Sequence, residues 1–166
     1  MSLLRGLNHA AVLTADLERF IGFYSGIFEA AVAFRENAPL RHAILNIGGD
    51  SWLHPIEAAN NPHARALSRM FERGHLDHVA LTAASGVAFQ EIRHRLVRCG
   101  ASDGAVDDMG PFRTLSFEDP DGMRGELTLI IDSSLRGIHA PRRLDFASIA
   151  TARTDVLELG VSEERR

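Results

Sequence analysis

The sequence predicts an α+β protein built from two tandem βαβββ modules. Residues 69 positions apart match, so that Leu7-Asn8-His9-Ala10-Ala11-Val12 falls on Leu76-Asp77-His78-Val79-Ala80-Leu81. The order of elements repeats as well, because each half reads as a strand, a helix and three further strands. With 166 residues, 45% of them hydrophobic and 24% charged, the chain can bury a core without a disulfide or a metal.

The first module is predicted over residues 5–59. Residues 6–13 alternate as a strand does, and Asp16 can cap a helix that runs to about residue 29. The apolar positions of that helix recur at helical spacing: Leu17, Phe20, Ile21, Tyr24 and Phe28.

Three strands complete this module, at 31–36, 41–47 and 51–58. Gly48-Gly49-Asp50 is typical of a hairpin turn between the last two. Pro55 restricts the fourth strand to an edge or bulge position, because proline cannot donate to a ladder.

A linker over 60–74 separates the modules, and Asn61-Pro62 predicts a short helix within it. The second module, 75–131, is predicted to hold a strand at 75–82, a helix at about 86–98 and strands near 102–107, 112–118 and 123–131. Asp119-Pro120-Asp121-Gly122 predicts a turn between the last two strands. Residues 132–166 form a tail, with a loop at 133–143 and a helix at 144–159, and we expect one structural domain overall.

Charge and composition exclude several classes of partner. The formal net charge is -4, so the chain has no basic excess to neutralise the phosphates of a nucleic acid. Its one cysteine, Cys99, fits a reducing compartment. No apolar run approaches the roughly 20 residues of a membrane span, and the start resembles no signal peptide. We therefore expect a cytoplasmic protein with a small-molecule substrate.

The repeated unit, with a histidine on its first strand and a glutamate on its last, resembles the vicinal oxygen chelate superfamily. The segments that carry the resemblance are the two histidine strands, Asp16-Leu17-Glu18-Arg19-Phe20 with Phe23-Tyr24, and Phe117-Glu118-Asp119-Pro120-Asp121-Gly122 leading to Glu126. That superfamily includes glyoxalase I, methylmalonyl-CoA epimerase, extradiol dioxygenases, and bleomycin and fosfomycin resistance proteins. The resemblance implies that the modules pair into a cupped mixed sheet around a metal.

By this resemblance the metal ligands are His9, Glu57, His78 and Glu126. Imidazole and carboxylate donors suit a divalent ion of intermediate hardness, namely Zn, Ni, Co, Mn or Fe(II). The resemblance further implies proton abstraction beside a carbonyl, with Glu126 as the first candidate for the catalytic base and Glu57 as the second. A buried carboxylate is costly unless it is paired or bound to a metal, which favours a ligand role for Glu126 in its apolar strand.

Residues around the proposed cup supply the candidate substrate contacts. Arg113 is predicted to face the cup and bind an anionic group, and Trp52 and Phe112 to wall a pocket. His54, three residues before Glu57, is placed on the opposite face of its strand and interpreted as a rim residue. The other histidines, which have no repeat partner, are interpreted as structural or exposed: His42, His63, His75, His94 and His139.

Three activities remain open from the sequence. We expect first a metal-dependent lyase, isomerase or epimerase, although Leu13 stands where glutathione-binding relatives carry arginine, and Glu57 where methylmalonyl-CoA epimerases carry glutamine. The second is an Fe(II) extradiol-type dioxygenase, for which the only tyrosine, Tyr24, is predicted on a helix and not beside a metal. The third is a metal-free small-molecule binding or resistance protein. Open sheet edges favour a homodimer, in which the modules close within one chain or swap between two.

Overall fold

The computed structural model describes residues 7–58, 60, 76–135, 137–139 and 141–144. The predicted linker helix over 60–74 and the predicted tail helix over 144–159 lie outside these ranges, apart from Asn60 and Leu144. The chain divides into two compact units. One contains the residues up to Val79 together with Glu118–Gly125, and the other contains Ala80–Phe117 and the residues from Glu126 onward.

The first unit contains the strand, helix and three strands that the sequence predicts. These are β1 (His9–Thr14), α1 (Leu17–Phe28), β2 (Ala31–Glu36), β3 (His42–Asn46) and β4 (Trp52–Glu57). They form a mixed sheet of order β1-β4-β3-β2, in which β1 and β4 run parallel and the other neighbours antiparallel.

Helix α1 begins where its sequence requires. Asp16 is the N-cap, and its side chain accepts a hydrogen bond of 3.1 Å from the amide of Arg19. The apolar positions at helical spacing are buried against the sheet, and Phe20 and Tyr24 stack with ring centroids 4.4 Å apart. One side of the sheet is therefore the helix side, and its buried strand residues are Val12, Ala43, Leu45 and Leu53.

The prediction for Pro55 is wrong in one respect. Strand β4 is not an edge strand, since it lies between β1 and β3. The ladder between β3 and β4 pairs His42 with Ile56 and Leu45 with Leu53, and within these two strands it is interrupted between those pairs. The missing N–H of Pro55 falls in that interruption, so a central strand accommodates the proline by giving up ladder bonds on one side.

The second βαβββ set consists of β5 (Val79–Thr82), α2 (Gly86–Arg98), β6 (Val106–Asp108), β7 (Phe112–Glu118) and β8 (Arg124–Ile130). Its sheet has the order β5-β8-β7-β6-β9, where β9 (Arg142–Leu144) adds a fifth strand. The sequence analysis expected a loop through 133–143, so β9 is a correction. Its residues pair with β6 and are held there by ion pairs from Arg142 to Asp108 and from Arg143 to Asp107.

Local signals in this half are confirmed by the structure. Ser85 caps α2 by accepting from the amide of Ala88, and the helix spans the predicted residues 86–98. The amide of Gly122 donates to the carbonyl of Asp119 at 2.8 Å, which closes the predicted turn with Gly122 at a φ of 78°. The α+β class with two βαβββ modules is therefore confirmed. No helix in the described part of the chain is long and apolar enough to cross a membrane.

Candidate functional site

The register of β1 against β4 decides which side chains of the first module share a face. His9 lies opposite Trp52, Ala11 opposite His54, and Thr14 opposite Glu57. Residues that pair directly point to the same side of a sheet, and neighbours along a strand point to opposite sides. His9, Trp52 and His54 therefore lie on one side, which we call the His9 face, and Glu57 lies with buried Thr14 on the helix side.

Glu57 is committed to holding the start of α1. Its Oε2 accepts a hydrogen bond of 2.8 Å from the amide of Leu17, the first residue of the helix. Arg41 donates from one guanidinium nitrogen to both carboxylate oxygens, at 2.6 and 2.7 Å. A carboxylate at a helix N-terminus satisfies an amide that has no partner within the helix. The expectation that Glu57 joins His9 as a ligand is thus corrected, because the two side chains point to opposite sides of the sheet.

A row of polar side chains instead crosses the His9 face. His9 and His54 meet edge to face with ring centroids 5.8 Å apart. Nε2 of His54 lies 3.0 Å from Nδ1 of His42, and Nε2 of His42 lies 3.0 Å from Oε2 of Glu36. Burial lowers the pKa of His54, and the neighbouring His42 and His9 lower it further. The sequence analysis interpreted His54 and His42 as rim or structural residues and did not consider Glu36.

A signal for this row is present in the sequence. Gly48-Gly49-Asp50 is the hairpin turn between β3 and β4, and pairing outward from that turn sets His42 opposite Ile56. In alternating strands His42 and His54 then lie on the same face, two residues apart in register. What the sequence lacked was the register of β4 against β1, which adds His9 to that face.

The two first-strand histidines are held by the same local contact. Nδ1 of His9 lies 2.8 Å from Oδ1 of Asn8, and Nδ1 of His78 lies 2.8 Å from Oδ2 of Asp77. A side-chain oxygen of this kind accepts, so Nδ1 carries the proton in each ring and Nε2 is the acceptor nitrogen. The preceding residue therefore prepares each imidazole to bind an electrophile through Nε2.

In the second unit, Glu126 points to the same side of its sheet as Thr82. The hydroxyls of Thr82 and Thr128 lie 3.2 Å apart, and the amide of Ala83 donates to the carbonyl of Thr128 at 2.8 Å. This register sets Thr82 opposite Thr128 and hence Ala80 opposite Glu126. The hydroxyl of Thr114 donates to Oε2 of Glu126 at 3.3 Å.

Strand register also changes which residues of the two modules are equivalent. Ala80 is the repeat partner of Ala11, and Ala11 lies opposite His54 in the first module. The position equivalent to Glu126 is therefore that of His54, 72 residues earlier, and not that of Glu57, 69 residues earlier. The last strand of the second module is shifted by three residues relative to the repeat of the first strand.

The predicted substrate contacts divide between the two faces. Trp52 lies on the His9 face, directly opposite His9. Phe112 shares the face of Thr114 and Glu126, since it lies two residues before Thr114 on β7. Arg113, between them, points to the opposite side, so the expectation that it shares a face with Glu126 is corrected.

Tyr24 and Asp119 form a buried pair in the first unit, away from the His9 face. The carboxylate of Asp119 accepts from the amides of Asp121 and Met123 at 2.9 and 2.8 Å, and the Tyr24 hydroxyl lies 3.4 Å from its other oxygen. Burial raises the pKa of Asp119 to about 6, with a contribution from Asp121, although the two amide bonds oppose the shift. Burial likewise raises the pKa of Tyr24.

The donor types fit a divalent ion of intermediate hardness. Two imidazoles present Nε2 as the acceptor nitrogen, and a carboxylate is oriented by a threonine hydroxyl, as ligands held by outer partners commonly are. Across the described residues, no three His, Cys, Asp or Glu side chains are gathered closely enough to form a metal cluster.

Comparison with known proteins gives a family and a fold. A family model described as the glyoxalase/bleomycin resistance protein/dioxygenase superfamily matches residues 6–127. A solved glyoxylase/bleomycin resistance protein/dioxygenase domain from Frankia sp. EAN1pec is 22% identical, covering 76% of this chain and 98% of that one, with a TM-score of 0.62. No protein of curated function matches the sequence.

Two further solved structures have the same fold. The fosfomycin resistance protein FosX from Mesorhizobium loti is 23% identical, covering 75% of this chain and 91% of that one, with a TM-score of 0.54. A glyoxalase family protein from Enterococcus faecalis is 22% identical, covering 76% and 99%, with a TM-score of 0.60.

Proposed function

Because the chain belongs to the glyoxalase/bleomycin resistance protein/dioxygenase superfamily, we propose that it is a metal-dependent lyase, isomerase or epimerase. Its substrate is a small molecule with two neighbouring oxygens. The observation that carries this proposal is the shared contact of the two repeat histidines, since Asn8 and Asp77 each hold Nδ1 and make Nε2 the ligating atom.

In this proposal His9, His78 and Glu126 hold the ion, which is Zn, Ni, Co, Mn or Fe(II). When bound, such an ion supplies Lewis-acid stabilisation of the enolate formed as a proton leaves the carbon beside a carbonyl. Glu57 is not included, because its carboxylate is engaged by Arg41 and the amide of Leu17. The donor set consists of two imidazoles and one carboxylate, and it leaves positions for a substrate with two oxygens.

Glu126 is the base that takes the proton from carbon. The Thr114 hydroxyl orients its carboxylate by donating to Oε2, which leaves Oε1 as the oxygen for proton transfer. Trp52 and Phe112 give apolar surface beside the donors, and apolar surface raises the basicity of a carboxylate by disfavouring its charged form. The chain thus supplies positioning, exclusion of water and the proton acceptor.

Metal analysis of the purified chain tests this proposal. We expect near-stoichiometric metal in the wild type and in His94→Ala, which removes an exposed helical histidine. His78→Ala and Glu126→Ala should each lose metal and activity. Full metal retention in both of those variants rejects the proposal.

The alternative functions are outcomes of the same material. Oxygen uptake with ring cleavage of a catechol, after loading with Fe(II), would assign a dioxygenase instead. Tyr24 does not support that outcome, since it is 2% exposed in the core beneath α1. Tight ligand binding without metal would assign a binding or resistance protein, and fosfomycin belongs in that panel because FosX proteins share the fold.

The proposal includes a homodimer. Strand β2 is an edge strand on which every residue is exposed, and Val32 and Phe34 are 44% and 50% exposed. An apolar edge strand tends to pair with another chain. Light scattering should give twice the chain mass of 18.2 kDa, and a monomer at all concentrations would contradict it.

A further inference from the structure

We propose that Glu36 and His42 are positioning residues for His54, and that His54 is the donor that the first module adds to His9 in the metal centre. This inference rests on the proposed metal-dependent function and assigns a residue to it that the repeat alone does not identify. It stands on the row of side chains that crosses the His9 face from β2 through β3 to β4.

The direction of the hydrogen bonds along this row follows from one end. An ionised Glu36 can only accept, so Nε2 of His42 carries a proton and donates to Oε2. At pH 8 an imidazole is neutral, so Nδ1 of His42 is then an acceptor. The contact of 3.0 Å with His54 requires Nε2 of His54 to carry the proton and to donate. Nδ1 of His54 is left as the nitrogen with the lone pair.

The separation of His9 and His54 suits binding to one ion. A metal–nitrogen bond is about 2.1 Å long, so two imidazoles on one ion have centres roughly 5 to 6 Å apart. The ring centroids of His9 and His54 are 5.8 Å apart, and the rings are inclined by 63°. Asn8 makes Nε2 the acceptor nitrogen of His9, so both rings offer a lone pair on the same face.

The comparison between modules gives an independent argument. His54 lies opposite Ala11, and Glu126 lies opposite Ala80, the repeat partner of Ala11. The position that carries the carboxylate ligand of the second module therefore carries an imidazole in the first. Each module then contributes one donor from its first strand and one from its last.

Nuclear magnetic resonance of the metal-free full chain tests the hydrogen-bonded row. At pH 8 we expect the proton on Nε2 of His54, with nitrogen–nitrogen coupling across the bond to Nδ1 of His42. His42→Phe should abolish the coupling, Glu36→Ala should weaken it, and His94→Ala should leave it unchanged. A proton on Nδ1 of His42, or coupling absent from the wild type, overturns the positioning role.

Electron paramagnetic resonance of the Cu(II)-loaded chain tests the ligand role. The nitrogen splitting should report three imidazoles in the wild type, in Glu57→Gln and in His94→Ala, and two in His54→Ala. Glu36→Ala should keep three but weaken the affinity by roughly 10-fold or more, as loss of an outer partner does. An unchanged spectrum in His54→Ala overturns this inference and leaves the metal-dependent function standing. A wild type that retains no ion overturns both.

Discussion

Asp119 is a carboxyl group in a place where its ionisation is costly. It is 5% exposed, and burial is the largest cause of its raised pKa of about 6, against an ordinary value of 3.8. A group with a raised acid pKa contributes stability that is fully present below the unfolded value, and that is lost as the pH rises through the folded value. The affected range is therefore pH 4 to 6.

Replacing Asp119 with asparagine should remove this pH dependence. The amide keeps an oxygen that can accept from the amides of Asp121 and Met123 but carries no charge to desolvate. We expect the two proteins to be similarly stable near pH 4, and the variant to be more stable near pH 7 by up to about 3 kcal/mol. Urea unfolding at pH 4, 5, 6 and 7 measures this, and parallel curves for the two proteins would contradict it.

Gly104 sits where a side chain has no room. A Cβ there would lie 2.6 Å from Cγ2 of Val97, and the backbone has a φ of 73°. Gly49 has a φ of 53° with nothing within 4 Å of the added atom, so it is the matched control for backbone strain. Gly104→Ala should lose about 1–3 kcal/mol more than Gly49→Ala, because of overpacking. Equal losses in thermal or urea unfolding would show that Val97 moves aside.

At the scale of elements, Glu57 joins a strand end to a helix start. Its carboxylate bridges β4, the amide of Leu17 and the guanidinium of Arg41. Glu57→Ala should lower the free energy of unfolding by about 1–3 kcal/mol, since it leaves a helix amide and an arginine unsatisfied. Glu91→Ala, which breaks only an exposed pair with Arg95 on α2, should cost about 0.5 kcal/mol.

Metal content distinguishes the two roles of Glu57. The structural role predicts that Glu57→Ala binds as much metal as the wild type once both are folded at low temperature. A loss of metal with unchanged stability would restore Glu57 as a ligand. Elemental analysis and urea unfolding of the same preparation give both answers.

The elements themselves were predictable because their determinants are local. Asp16 and Ser85 lie within three residues of the amides they cap, and the Asp119–Gly122 turn is encoded in four residues. Strand β9 escaped prediction because its three residues have no apolar alternation and depend on ion pairs to Asp107 and Asp108, some 35 positions earlier.

The candidate site was predictable only where the repeat is exact. His9 and His78 follow from matching first strands. Glu57 was chosen by the same 69-residue spacing, which fails on the last strand because the register there differs by three residues. A shift by an odd number of residues moves a side chain to the other side of a sheet. Register between strands more than 40 residues apart is not encoded in either strand alone.

At the scale of the whole molecule, Asp121 connects the end of the fold to its beginning. It accepts from the hydroxyl of Thr14 at 2.6 Å and from the amide of Ala15 at 3.0 Å, and Arg19 donates to it at 2.6 Å. Its side chain is 5% exposed. The first unit is thus fastened by a residue from the second half of the sequence.

Asp121→Ala should destabilise the first unit by about 2 kcal/mol or more, because Thr14 and Ala15 lose a buried acceptor. Hydrogen exchange should accelerate in β1 and in the first turn of α1. Exchange in α2 should change less, which makes that helix the internal control. Uniform acceleration throughout the chain would show that the two units unfold together.

This long-range tie has a consequence for synthesis. A ribosome makes the first strand and helix long before it reaches the turn at Asp121, so the nascent first half must wait with its Thr14 hydroxyl and Ala15 amide unbonded. The halves look like duplicated copies, yet the earlier one cannot finish folding until most of the later one has emerged. Any ancestor made of one copy would have needed a sister chain to lend that carboxylate.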